Sequence, residues 1–260
     1  MTSWLVRDGL RLAVHDAGGA GLPVVLQHGL CGDAQQTAEA MPPDPRFRRV
    51  TLECRGHGAS DFGGTLSIAS FADDVAALAE ILPGPVVIGG ISMGAAIALR
   101  LAVMRPDLVR GLILIRPAWV TEDAPNNMAP NAAVGRMIAT GQTAADFAKT
   151  DMFRHLARAA PDNLASLTGF FARKPLAQTA ALLQAISADG PGVTAAQVAA
   201  ITAPVLICGT ERDHVHPLDT AGRLVALTGA RLVELPPKAT DKPAHIAALH
   251  AALTAFLEEF

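Results

Sequence analysis

Ser92 stands in the pentapeptide Gly90-Ile91-Ser92-Met93-Gly94, behind the apolar run Val86-Val87-Ile88 and ahead of a helix-like stretch from Ala95 to Met104. A serine so placed sits on a sharp strand-to-helix turn, flanked by glycines because a Cβ would clash in the tight bend. The turn lifts the hydroxyl clear of the strand and sets it over a helix N-terminus, where backbone N–H groups point outward. This equips the hydroxyl for nucleophilic attack, with the developing anion held by those N–H groups. A reactive serine also requires a base.

Other polar clusters close other apolar runs. His28-Gly29 follows Val24-Val25-Leu26, and Arg55-Gly56-His57-Gly58-Ala59-Ser60 follows Val50-Thr51-Leu52. Gly209, Asp213 and His216-Pro217 follow Val205-Leu206-Ile207. Leu112 to Ile115 and Leu232-Val233 are further strand-like runs, and Trp4 to Val6 and Leu10 to Val14 alternate about the hairpin signal Asp8-Gly9. Helical patterns separate them: Phe71 to Leu82, Ala95 to Met104, Asp219 to Leu227 and His245 to Phe260. Such alternation predicts an α/β fold, with a mostly parallel sheet of about eight strands covered by helices on both faces. It breaks between Arg116 and Ala200, where helical stretches lie near Asn131 to Thr140, Ala144 to Lys149, Phe153 to Arg158, Leu164 to Phe171 and Leu176 to Ile186. The expected organisation is a core of residues 1–115 and 201–260 with a helical cap or lid at 116–200.

Composition narrows the function classes. A net charge of −3 leaves no basic footprint, so no nucleic-acid partner is expected. Mean hydropathy is +0.32. The longest uncharged stretch, Ile81 to Leu99, is broken by Pro83-Gly84-Pro85 and Gly89-Gly90, so no membrane span is expected either. The N-terminal residues show no secretory pattern, and Cys31, Cys54 and Cys208 have no metal-ligand spacing, which together suggest reduced thiols in a cytoplasmic protein. With no tyrosine in the chain, no scheme can use a phenol donor.

Taken in order, these clusters and the cap-sized insertion resemble the α/β-hydrolase fold superfamily over nearly the whole chain. The resemblance implies an acyl-transfer triad in the chain order Ser, Asp/Glu, His, without cofactor or metal. Ser92 would be the nucleophile and Asp213 the acid, with Glu211 and Asp219 as neighbouring alternatives. Some members carry the acid one strand earlier, but that end here reads Ile115-Arg116-Pro117. The histidine has to follow Asp213, which leaves His214, His216, His245 and His250. Members of the family usually show a Gly-His pair after the last strand, and Pro236 to Ala244 contain none. His245 is the expected base, since His214 and His216 lie very close to the acid in sequence. The family geometry gives Met93 and Leu30 the oxyanion-binding N–H groups, and His28 and His57 the task of stabilising loops. Phe147 and Phe171 are the expected pocket residues, among apolar neighbours Met137, Met152, Phe153 and Phe170. The expected function is a serine hydrolase of a small to medium ester or related acyl compound. Alternatives are a C–C bond hydrolase, lactonase or perhydrolase using the same serine, and a non-catalytic ligand-binding member of the fold.

Overall fold

A computed structural model describes residues 2–260. Asp8 and Gly9 both take positive φ (50° and 78°) and close the hairpin between β1 (Thr2–Arg7) and β2 (Leu10–Asp16). The parallel strands follow: β3 (Leu22–Gln27), β4 (Phe47–Leu52), β5 (Val86–Ile91), β6 (Val109–Ile115), β7 (Val205–Thr210) and β8 (Arg231–Leu235). They form one sheet in the order β1-β2-β4-β3-β5-β6-β7-β8, antiparallel at β1, β2 and β4 and parallel beyond.

The strands read as unbroken apolar runs because both faces of the sheet are covered. Val25, Ile88, Leu112 and Ile207 face one core, packed with α2 (Ile68–Glu80), α3 (Met93–Met104) and α10 (Leu218–Thr228). Val24, Val87, Ile113 and Leu206, one residue out of phase, face another. That second core holds Ala40 of α1 (Ala34–Ala40) and the stripe Leu249, Leu253, Phe256 and Leu257 of α11 (Lys242–Leu257).

Between β6 and β7 runs a helical insertion of the kind that caps such a sheet: α4 (Ala129–Ala139), α5 (Ala144–Phe147), α6 (Asp151–Ala159), α7 (Pro161–Gly169), α8 (Leu176–Ser187) and α9 (Ala195–Ala199). It has a hydrophobic cluster of its own around Val134, Phe147, Leu156, Leu167 and Leu183. Two helices escape the pattern reading. Helix α1 lacks a long apolar stripe and is started by the Asp33 side chain accepting the Gln35 N–H. Helix α9 opens with a Thr194/Gln197 capping box, a signal legible in the sequence. No helix among the described residues is long and apolar enough to cross a membrane.

Candidate active site

The elbow has the form its sequence predicts. Ser92 takes φ 56° and ψ −110° between β5 and α3, and its N–H donates to the Ile115 carbonyl at 3.0 Å. The flanking glycines are required by contact. A Cβ on Gly90 would lie 2.2 Å from the Gly94 carbonyl carbon, and one on Gly94 would lie 2.4 Å from the Gln27 carbonyl oxygen. Helix α3 therefore starts pressed against the ends of β5 and β3. Met93 is its first residue, so its N–H belongs to the turn that has no intrahelical acceptor.

The loop after β3 faces this turn. The Gln36 side chain accepts the Gly29 N–H at 2.7 Å, and the His57 Nε2 accepts the Cys31 N–H at 3.0 Å. Between them, the Leu30 N–H has no acceptor among the described residues. Two buried histidines tie this loop to the one after β4 in reciprocal fashion. His57 lies in the second loop and takes the Cys31 N–H, while His28 lies in the first and takes the Cys54 N–H at 3.1 Å. Each ring donates its Nδ1–H to a backbone carbonyl, that of Gly29 or Arg55, so both tautomers are fixed. Burial holds both rings below the ordinary imidazole pKa, His57 well below it.

The histidine beside Ser92 is His216, where the sequence led us to expect His245. The Ser92 hydroxyl donates to His216 Nε2 at 2.8 Å, and His216 Nδ1 donates to the Asp213 carboxylate at 2.9 and 3.0 Å. His245, the expected base, instead lies buried in the first turn of α11 with its Nδ1–H on the Pro236 carbonyl at 2.8 Å. His250 donates to the Glu39 carbonyl at 3.0 Å. Three residues along a helix or strand rarely let a side chain reach both a carboxylate and a distant serine. Here the chain is neither. Arg212 takes φ 56°, and the Asp213 carboxylate accepts the His216 backbone N–H at 2.9 Å. This turn folds the ring onto the carboxylate with one nitrogen and leaves the other free for Ser92.

Two further side chains hold the pair. Asn163 of α7 donates to Asp213 Oδ1 at 2.8 Å and accepts the N–H groups of His214 (2.6 Å) and Val215 (3.1 Å), so the cap grips the acid loop directly. Arg116 donates Nε–H to Asp213 Oδ2 at 2.9 Å and adds a second, shorter bond through Nη2. Burial alone would raise the Asp213 pKa, but His216, Arg116 and Asn163 together hold it well below the carboxylate range. For His216, burial and Arg116 outweigh the Asp213 charge and keep the ring below its ordinary value, so Nε2 is an unprotonated acceptor at neutral pH. Glu211 and Asp219, the alternative acids, make no hydrogen bond to a histidine among the described residues.

Ser92 and His216 line a cavity of about 370 Å³ roofed by the insertion. Its walls include Leu30, Asn131, Leu167, Phe170 and Arg173. Phe147 and Phe171, the expected pocket residues, do not line it. Phe147 is 1% exposed in the core of the insertion, and Phe171 stacks on it with ring centroids 5.9 Å apart. The apolar spacing that marked them reports the insertion's own packing. Gln36, Asn163 and Arg173 carried no local signal in the sequence, and Arg116 registered only as a position lacking an acid.

Among the described residues six non-glycine residues take positive φ, and four of them follow the ends of β3, β5, β6 and β7: Cys31, Ser92 and Arg116, which line the cavity, and Arg212, next to Asp213. No cluster of three or more His, Cys, Asp and Glu side chains suited to a metal occurs among the described residues.

Comparison with known proteins agrees with the fold. Over 127 residues the chain is 32% identical to an sn-1-specific diacylglycerol lipase of Mus musculus, covering 47% of this chain and 39% of that protein. Over 130 residues it is 35% identical to a pimeloyl-(acyl-carrier protein) methyl ester esterase of Neisseria meningitidis, covering 48% of each. These matches thus span half or less of the relatives' own length. Among solved structures, a thermophilic esterase from Thermogutta terrifontis superposes with a TM-score of 0.76 at 23% identity, over 100% of this chain and 98% of that one. A hydrolase from Pseudomonas aeruginosa superposes with a TM-score of 0.67 at 25% identity, over 97% and 98%. Residues 23–241 match the alpha/beta hydrolase fold model, and the chain belongs to that family.

Proposed function

We propose that this chain is a serine hydrolase of small to medium esters or related acyl compounds, acting through Ser92, His216 and Asp213. The observation that carries the reading is the continuous hydrogen-bonded path from the Ser92 hydroxyl through both His216 nitrogens to Asp213. Residues 116–200 act as the cap over a core of 1–115 and 201–260.

In the proposed reaction His216 Nε2 takes the hydroxyl proton as Ser92 Oγ attacks the acyl carbon. The N–H groups of Leu30 and Met93 hold the oxyanion of the tetrahedral intermediate. His216 then returns the proton to the leaving alcohol, and acyl-Ser92 remains. Water attacks next, giving its proton to His216, and collapse frees the carboxylic acid and restores Ser92. Asp213 keeps the proton of the neutral ring on Nδ1 and stabilises the imidazolium that forms. The Ser92–His216 hydrogen bond supports this reading over a non-catalytic binding member of the fold. The esterase and lipase named among the relatives support an ester substrate.

A serine-directed fluorophosphonate, followed by mass spectrometry, tests the proposal. The wild-type protein should be labelled on Ser92, and His216→Ala should slow labelling by orders of magnitude. A wild-type protein that resists the reagent would sink the enzyme reading.

A further inference from the structure

The cavity is unusually furnished for a neutral ester. No aspartate or glutamate is among its lining residues, while two arginines are, Arg116 and Arg173. Asp213 lies behind Arg116 and takes its Nε and Nη2 donors. Arg173 has no carboxylate partner among the described residues. Its contacts are all uncharged: the Cys31 carbonyl through Nε at 3.1 Å, the Thr179 hydroxyl through Nη1 at 3.1 Å, and the Gly56 carbonyl through Nη2 at 3.5 Å. A guanidinium carries five donors, so two remain unspent on Arg173, and neither Nη1 donor of Arg116 is taken.

The position of this charge matters as much as its sign. Cys31, whose carbonyl anchors Arg173, directly follows Leu30, so the cation is fixed one residue from the proposed oxyanion donor. Asn131 also lines the cavity; its side chain makes no hydrogen bond among the described residues although the residue is only 6% exposed, and the donor it can offer an anion is the amide Nδ2. With His216 neutral and Asp213 ionised, the two arginines leave the cavity one positive charge in excess. A partly buried cation without a counter-ion is costly, and an anion entering with the substrate would relieve that cost.

Resting on the serine-hydrolase reading above, we propose that the substrate carries a carboxylate on its acyl part, held by Arg173 with the Asn131 amide beside it. The natural substrate class is then a monoester of a short dicarboxylic acid, and the product is the free diacid. A charge-assisted, forked contact of this kind is worth about 10- to 100-fold in selectivity.

The test compares p-nitrophenyl hydrogen glutarate with p-nitrophenyl valerate, two esters alike in length and different in charge. Wild-type kcat/KM should favour the glutarate ester by at least about tenfold. In Arg173→Gln the ratio should fall to near one, and Arg173→Lys, which keeps the charge and loses the fork, should lie between. A wild-type protein that does not prefer the anionic ester overturns the proposal. So does an Arg173→Gln loss shared equally by both esters, since that marks Arg173 as a tie between cap and core only. Calorimetric titration of glutarate into Ser92→Ala reads the same site without turnover: binding should be present there and lost in Ser92→Ala/Arg173→Gln. Glutarate binding without hydrolysis of either ester would overturn the catalytic reading and leave the anion site standing, whereas hydrolysis without glutarate binding would do the reverse.

Discussion

The loops after β7 and β8 both lead from a strand end into a helix, and they differ in what they bring to Ser92. The first, Glu211 to Pro217, places Asp213 and His216 three residues apart, and the His216 ring joins that carboxylate to the Ser92 hydroxyl. The second, Pro236 to Asp241, lies where the family usually carries its histidine, and the nearest one here is buried at the start of α11 against the Pro236 carbonyl. Chain order and strand number do not determine which of the two supplies a base. What decides is where a ring can reach Ser92 and a carboxylate together, and the Arg212 turn gives His216 that reach.

The largest effect should separate these loops outright. His216→Ala should match Ser92→Ala in lost ester turnover, about 10⁴- to 10⁶-fold, and the double variant should add almost nothing, because the residues act as one unit. His245→Ala should keep most of its activity and show its loss as a lower melting temperature. If the two histidine variants exchanged these behaviours, the assignment of the base would be reversed.

Asp213→Asn comes next, with an expected fall in kcat of about 10³- to 10⁴-fold from loss of the orienting carboxylate. Glu211→Gln and Asp219→Asn should leave kcat nearly unchanged, and a larger effect at Glu211 would move the acid within the same loop.

Phe147→Ala sharpens the contrast between the cap's core and its cavity wall. A ring 1% exposed in the insertion's cluster should cost about 3–5 kcal/mol of stability. Selectivity between ester lengths should respond more to Phe170→Ala, read by kcat/KM across an acyl series.

The smallest effects concern protons. Arg116 helps hold the His216 ring below its ordinary pKa, and activity needs that ring unprotonated. In Arg116→Met the acid limb of the kcat/KM profile should therefore move to higher pH; a shift to lower pH would contradict the electrostatic account. His28 and His57 also titrate below the ordinary value when folded. Below about pH 6.5 the unfolded chain binds protons that these rings refuse, so their stability contribution is complete above that pH and declines as pH falls. Melting temperatures from pH 7.5 to 5 should show this decline, and His57→Asn should make it shallower.

What the sequence disclosed follows from which features are local. The elbow, the strand runs and the helical insertion are written in adjacent residues, and Ser92 lies on the turn between β5 and α3 that its pentapeptide predicts. The reach of His216 is not legible in sequence, because a single positive φ at a non-glycine residue, Arg212, has no signature there. Asn163, Arg116 and Arg173 act on groups 50, 97 and 142 positions away along the chain, a relation no spacing rule contains.

The four left-handed residues at the strand ends carry a further consequence for the balance between activity and robustness. Each non-glycine residue held there costs of order 1–3 kcal/mol, and four together approach the net stability of a whole domain. The sheet and its two cores must therefore be stable enough to carry a strained rim. Ser92→Gly should relieve its share, against about 0.4–1 kcal/mol lost to the freer unfolded chain, and melt higher than the wild type while doing no chemistry. The serine at the elbow would then be a residue the fold tolerates only for the sake of its hydroxyl.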